Sequence, residues 1–237
     1  MTTLLDDYFS HIYVLNLDRR PDRWVKTSQR LRPLVRDFSN NVTRFSAVDG
    51  KNPEIINSWR RLPYFLTNSG VLAVLMSVQK ILHDAAMKGF KRFLLLEDDV
   101  VFHRDFTSQW SRITVPGNLP KWKLLFLGNS MHRWRFSDRC RYYKDRGYLT
   151  STGSIPGAFA LGIDSSVIKD LWGGILYGKS AWDLSPLKTV NVKYPGSCLV
   201  LHPQLCIATV DDSDLRNRDM IRKAHDCYWD LSQFDID

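Results

Sequence analysis

The sequence predicts an α/β fold, a single domain with a mainly parallel central sheet flanked by helices. Three observations lead there. Through the first hundred residues, short apolar runs rich in β-branched and aromatic residues alternate with stretches of helical periodicity, the pattern of strand–helix–strand units. No repeat, low-complexity block or Gly/Ser linker divides the 237 residues. With 44% apolar and 12% aromatic residues the chain can bury a sizeable core and offset its ordering entropy, which excludes a disordered protein.

The first strand is His11 to Leu17 (HIYVLNL), closed by the charged turn Asp18-Arg-Arg-Pro-Asp22. Pro21 suits a first helical turn, and Trp24, Leu31 and Leu34 form a stripe that ends near Arg36. Val42 to Val48 is the second strand, ended by Asp49-Gly50, and residues 51–68, with Pro53 and Pro63, read as irregular. From Ser69 a helix is expected, because Val71, Leu72, Leu75, Val78, Leu82 and Ala85 recur at three- and four-residue spacing before Gly89 stops it. Phe93 to Leu96 is then a buried strand running into Glu97-Asp98-Asp99. Later strands are expected at Leu124 to Leu127, Ala158 to Ile163 and Leu205 to Val210, with short helices at Ser165 to Trp172 and Leu184 to Val190. Residues 132–149 show neither period and read as an excursion or loop.

Composition narrows the function classes. The net charge of +8 is concentrated in residues 18–36 and 133–146, while the tail from Asp211 is acidic. Such a surface gathers anions, whether nucleic acid, anionic lipid or nucleotide phosphates, or it is simply a solvated helix face. The longest nearly pure apolar run, Val71 to Val78, falls far short of the roughly 20 residues of a bilayer span. Met1 to Ser10 carries two Asp and no basic region, so no secretory signal is read and a cytoplasmic location is expected. Cys140, Cys198, Cys206 and Cys227 lack CxxC spacing and read as ordinary thiols of a reducing compartment.

The most informative stretch is Phe93-Leu-Leu-Leu-Glu-Asp-Asp-Val-Val-Phe102. Three consecutive carboxylates between apolar runs repel one another unless a cation compensates. In extended geometry Glu97 and Asp99 share a face and Asp98 points the other way. At the carboxyl end of a central parallel strand the pair would open into the crevice where α/β sheets bind ligands. A divalent ion held by one or two such carboxylates completes its shell with water and substrate phosphates, as Mg²⁺ and Mn²⁺ do. The alternative is a solvated acidic turn after an edge strand.

Leu96-Glu-Asp-Asp-Val100 resembles the metal-binding motif of glycosyltransferase family 25, the bacterial lipopolysaccharide and collagen galactosyltransferase group. Three further segments agree in content and order. They are Tyr13-Val-Leu-Asn-Leu-Asp-Arg-Arg-Pro-Asp-Arg23, Phe45-Ser-Ala-Val-Asp-Gly50 and Ser69-Gly-Val-Leu-Ala-Val-Leu-Met-Ser77. Together they cover about the first 106 residues, whereas the second half matches loosely through Leu127-Gly128 and Gly157-Ala-Phe-Ala160. One departure stands out, since family members often carry His after the helix Ser and here Val78 follows Ser77.

The resemblance implies a single Rossmann-like domain of the glycosyltransferase A type, with residues 1–106 binding a nucleotide-sugar and residues 107–237 binding the acceptor. It implies a metal-dependent hexosyltransferase using Mn²⁺ or Mg²⁺, with UDP-galactose favoured as donor and UDP-glucose next. The acceptor would be a glycan, a lipid-linked saccharide or a protein. Asp99 would ligate the metal, Glu97 would reach the ribose, the metal or a metal-bound water, and Asp98 would orient sugar or metal. Asn16 and Leu17 would lie against the base, Arg20 or Arg23 near phosphate or base, Asp49 on base or ribose, and Ser69 beside the donor. For Asp49-Gly50 the alternative is plain turn chemistry.

Sugar transfer with inversion needs a base for the acceptor hydroxyl, and Asp183 in Ser180-Ala-Trp-Asp-Leu-Ser-Pro186 is the candidate, with Trp182 as a sugar-stacking ring. The alternative for Asp183 is an N-cap. A late His often completes the metal shell in such folds, and His202 is the candidate third ligand, its alternative a structural His beside Pro203. The rival functions are a basic metal-dependent nucleic-acid-binding protein or nuclease, and a non-catalytic relative of the transferases. No recognised nucleic-acid motif appears, and an intact Glu-Asp-Asp argues against lost activity.

Overall fold

The computed structural model describes residues 2–62, 66, 68–130, 140–143, 148–151, 154–177, 180–209, 219–227 and 229–236. In chain order its elements are α1 (Leu5–Tyr8), β1 (His11–Asn16), α2 (Pro21–Leu31), α3 (Phe38–Asn41), β2 (Val42–Ser46), α4 (Pro53–Arg60) and α5 (Ser69–Met87). Then come β3 (Arg92–Glu97), β4 (Val100–Phe102), α6 (Phe106–Ile113), β5 (Leu124–Phe126), β6 (Cys140–Tyr143) and β7 (Tyr148–Ser151). The chain continues through β8 (Ala160–Asp164), α7 (Ile168–Tyr177), α8 (Pro186–Lys193), β9 (Cys198–Leu201), β10 (Cys206–Ala208) and α9 (Met220–Cys227).

Eight strands form one sheet in the order β2-β1-β3-β8-β5-β9-β7-β6. β1 pairs in parallel with β2 and β3, and β5 in parallel with β9, while β8 runs antiparallel between β3 and β5. Thus the central six strands, β2 to β9, are parallel apart from β8, as the α/β expectation requires. β7 and β6 extend the far edge as an antiparallel pair. A second, two-stranded sheet joins β4 to β10.

Alternation along the strands divides the core into two layers. Ile12, Val14, Leu94, Leu96, Leu125 and Leu199 face one cluster, which packs α6 and α9 residues such as Trp110 and Ala224. Tyr13, Phe93, Leu95, Leu124, Phe126 and Val200 face the other, against α5, α7 and α8. α5 is apolar and long enough by composition to cross a membrane, yet Val71, Leu75, Val78, Ile81, Leu82 and Ala85 are buried against the sheet, so its apolar character serves the core. Cys198, Cys206 and Cys227 are buried free thiols, and burial pushes the Cys198 thiol up to about 12.

The structure revises several expectations. Residues 51–68 are not irregular throughout, because α4 starts at Pro53: Asn52 Oδ1 accepts from Glu54 N at 2.8 Å and Pro53 takes the first helical position, where its missing N–H is no loss. The 132–149 excursion contains β6 and part of β7, although Arg133, Arg135, Arg139, Lys144 and Arg146 lie outside the described residues. The Leu205 to Val210 strand, narrowed to β10, belongs to the small sheet rather than the large one.

Candidate active site

The parallel pairing brings the carboxyl ends of β1, β2 and β3 side by side, with Leu15 in register with both Phe45 and Glu97. There a cleft of about 380 Å³ opens, lined by strand-end residues, by the 47–51 turn and by the first turns of α5. Its far wall is held by side-chain to backbone bonds. Val48 N donates to Ser77 Oγ at 2.9 Å, and Ser77 Oγ donates to Ala73 O at 2.7 Å. Ser69 Oγ donates to Gly50 O at 2.7 Å, and Asn68 caps α5 by accepting from Val71 N. Gly50 is required there: a Cβ on it would lie 2.6 Å from Gly70 Cα. The Asp-Gly and Ser-Gly pairs of the sequence therefore meet across one wall.

Leu17, Arg23, Asp49, Ser69, Glu97, Asp98 and Asp99 line the cleft, as a donor site made from them would need. At its rim Arg19 Nε donates to Asp49 Oδ2 at 2.7 Å. Partial burial works against the Asp49 charge, but the Arg19 guanidinium and the Lys51 N–H outweigh it and hold the carboxyl below its ordinary value.

The three acids of the strand end have separate environments. Asp98 turns away from its neighbours and is clamped: Asn16 Nδ2 donates to its Oδ2 at 2.6 Å, Arg23 Nη1 to its Oδ1 at 3.0 Å, and Thr27 Oγ1 to its carbonyl at 2.6 Å. Asp98 thus lines the cleft with its carboxylate engaged by α2 and β1. Glu97 and Asp99 are half-buried in the cleft lining, with the Asp99 Oδ1 atom itself shut off from solvent. Burial pushes Glu97 well above the ordinary carboxyl range, the charges of Asp99, Asp183 and Asp98 add to it, and Arg23 opposes them. For Asp99, burial and the Asp98 charge raise the carboxyl to about 7 against the same Arg23. Asp99 Oδ1 has no hydrogen-bond partner among the described residues, while Asp99 O accepts from Thr209 N at 2.9 Å, which ties β10 to the turn.

Other sequence candidates fall elsewhere. Asn16 sits behind the cleft, its amide donating to Arg20 O and Asp98 and accepting from Arg44 Nε, so the expected base contact is replaced by a structural network. Arg20 pairs with Asp22 at 2.8 Å and is not in the cleft lining. His202 follows β9, which β8 and β5 separate from β3, a lateral gap of about 14 Å at the usual strand spacing. No cluster of three His, Cys, Asp or Glu side chains arranged to hold a metal occurs among the described residues. Trp182 is 4% exposed and packs in the core, which closes its ring to sugar stacking. Asp183 does approach the site: its charge is felt at Glu97, and its Oδ2 accepts from Gly157 N at 2.9 Å. The Arg23–Asp98 clamp and the Gly157 contact were missed in the sequence, although Arg23 and Gly157 both fall within the segments that carry the resemblance.

Two raised carboxyls, one with an oxygen unpartnered among the described residues, thus stand at the carboxyl edge of parallel strands, where α/β folds place ligand crevices. The sequence profile of glycosyltransferase family 25 (LPS biosynthesis protein) matches residues 9–147, more than half of the chain. The chain belongs to this family of glycosyltransferases, which speaks against the nucleic-acid-binding alternative. A procollagen lysyl hydroxylase and glycosyltransferase of Acanthamoeba polyphaga mimivirus is 33% identical over 121 residues, 44% of this chain and 14% of that protein. The chain thus aligns with only a small part of that relative. Among solved structures, a glycosyltransferase involved in glycosylation of the major capsid of PBCV-1 aligns over 91% of this chain and 98% of its own, at 14% identity and a TM-score of 0.46.

Proposed function

We propose that the chain moves a hexose, galactose or glucose, from a UDP-sugar to the hydroxyl of a glycan, lipid-linked saccharide or protein, with inversion and with help from a divalent ion. The observation that carries this reading is the pair Glu97 and Asp99, half-buried on the floor of the cleft with raised carboxyls and with Asp99 Oδ1 unpartnered among the described residues. Hard carboxylate oxygens of this kind fit Mn²⁺ or Mg²⁺, which bind through one or two carboxylates and substrate phosphates. Asp99 and Glu97 would hold the ion, which when bound neutralises charge developing on the diphosphate.

The chain's own groups supply the rest. Leu17 and Val48 give the cleft an apolar side, and Asp49 offers acceptors for base or ribose hydrogens, held in place by Arg19. Asp183 takes the proton of the acceptor hydroxyl as that oxygen attacks the anomeric carbon and the bond to the diphosphate breaks. Calorimetric titration with UDP, UDP-galactose and UDP-glucose, with and without Mn²⁺, tests the reading. Binding that needs metal and disappears in Asp99→Ala is expected; equal binding in that variant refutes the assigned site. Released sugar from UDP-galactose should be the β anomer, and α-galactose refutes inversion.

A further inference from the structure

We infer that Gly157 is a positioning residue for Asp183, and that the short segment 154–159 sets the distance between the donor acids and the acceptor base. The inference rests on the base role proposed above for Asp183. Four bonds anchor this segment on three sides. Phe159 O accepts from Glu97 N at 2.9 Å, which joins it to the acidic strand end. Pro156 O accepts from Ser130 N at 2.8 Å, which joins it to the loop that follows β5. Gly157 N donates to Asp183 Oδ2 at 2.9 Å, and Ser154 Oγ donates to Leu184 O at 3.1 Å, which joins it to the turn before α8.

Only glycine serves at this point. Gly157 has φ of +83°, in the region that side chains rarely adopt, and a Cβ there would lie 2.5 Å from Ser130 N and 2.6 Å from Ser130 Oγ. Any side chain must push the segment away from Ser130, and the N–H aimed at Asp183 moves with it. Asp183 belongs to the irregular stretch before α8, so nothing in a regular element orients its carboxylate. A charge-assisted bond from a backbone N–H held by the end of β3 and by the loop after β5 can do so. Because the same segment is bonded to Glu97, it couples the acceptor base to the donor floor across β8.

The test combines a measurement on the unaltered backbone with kinetics. In Asp183→Ala, the assigned Gly157 amide resonance should move upfield and lose protection from hydrogen exchange; an unchanged Gly157 signal overturns the contact. For turnover, Mn²⁺-dependent hydrolysis of UDP-galactose and UDP-glucose is followed in Gly157→Ala, Asp183→Asn and the double variant. Gly157→Ala should lower kcat roughly tenfold to a hundredfold with KM for the donor little changed. Added to Asp183→Asn it should cost almost nothing more, because a positioning residue has no effect once its target is gone. A Gly157→Ala effect that multiplies with that of Asp183→Asn, or that raises KM alone, overturns the inference while leaving Asp183 as base. Full turnover in Asp183→Asn instead refutes the base role itself.

Discussion

Asp99 shows how much a single ionised group can cost in this fold. Its carboxyl lies at about 7 when folded, against an ordinary value of 3.8. Between those values the native state holds a proton that the unfolded chain has lost, so stability falls as pH rises through that window and stays low above it. The span corresponds to something on the order of 4 kcal/mol for the ionised form. Thermal unfolding of the metal-free protein should therefore drop from about pH 5 to pH 8, added Mn²⁺ should restore it, and Asp99→Asn should flatten the trend. A flat profile in the parent protein would show that the floor is better solvated than its burial implies. Gly50 carries a different cost. Gly50→Ala forces a Cβ against the backbone of Gly70, which neither helix nor turn can yield cheaply, so a loss of about 1–3 kcal/mol in urea unfolding is expected, with weaker UDP binding. The acidic run itself was legible because carboxylates beside Phe93-Leu-Leu-Leu96 have few innocent explanations. Its internal division of labour was not: that Asp98 faces Asn16 and Arg23 depends on α2 packing against β1, β4 and the turn that joins β3 to β4, a tertiary fact.

At the scale of elements, α2 works as a clamp on the loop after β3. Arg23 and Asp98 have side chains only 12% and 11% exposed, and Thr27, one turn later on the helix, bonds the Asp98 carbonyl. Breaking a buried pair from one side leaves the other charge uncompensated, at roughly 3–5 kcal/mol. Arg23→Met should accordingly destabilise the protein by about that amount, and adding Asp98→Asn should recover much of the loss. Strict additivity in a urea double-mutant cycle would mean that the clamp contributes no coupling. Elements with strong local signals were readable: β1, α2, β2, α5 and β3 follow their apolar runs and Pro21, Gly89 and Asp49-Gly50 punctuation. α4 was hidden by reading Pro53 as a breaker, when Asn52 before it makes it a helix start. α6 also carried a stripe, Phe106, Trp110 and Ile113, which a short amphipathic helix needs. β9 is four apolar residues, too short for a period to show.

At the scale of the molecule, the direction of β8 is what the sequence does not reveal. Ala160-Leu-Gly-Ile-Asp164 has no feature that distinguishes parallel from antiparallel pairing, and its place is settled by partners on both sides that are distant in the chain. The consequence is that residues 1–106 and residues 107–237 are interleaved in one sheet. β3, which carries Glu97, is bonded to β1 on one edge and to β8 on the other, and the layer behind it mixes Leu94 and Leu96 with Leu125, Ala160 and Leu199. Cutting after residue 106 would expose that edge and strip the Leu94–Leu96 face of β3 of Trp110, Leu125, Ala160 and Leu199. We therefore expect a fragment of residues 1–106 to show no cooperative melting, and the whole chain to unfold in one urea transition with coincident tryptophan fluorescence and far-ultraviolet dichroism. The eight tryptophans lie in both halves, so fluorescence samples each of them. A folded fragment, or two separated transitions, would mean that the nucleotide half owes its stability to α5 and α2 alone. In that case Asp183 would approach Glu97 across a boundary free to move, and hydrolysis of the donor would survive mild denaturant less well than donor binding.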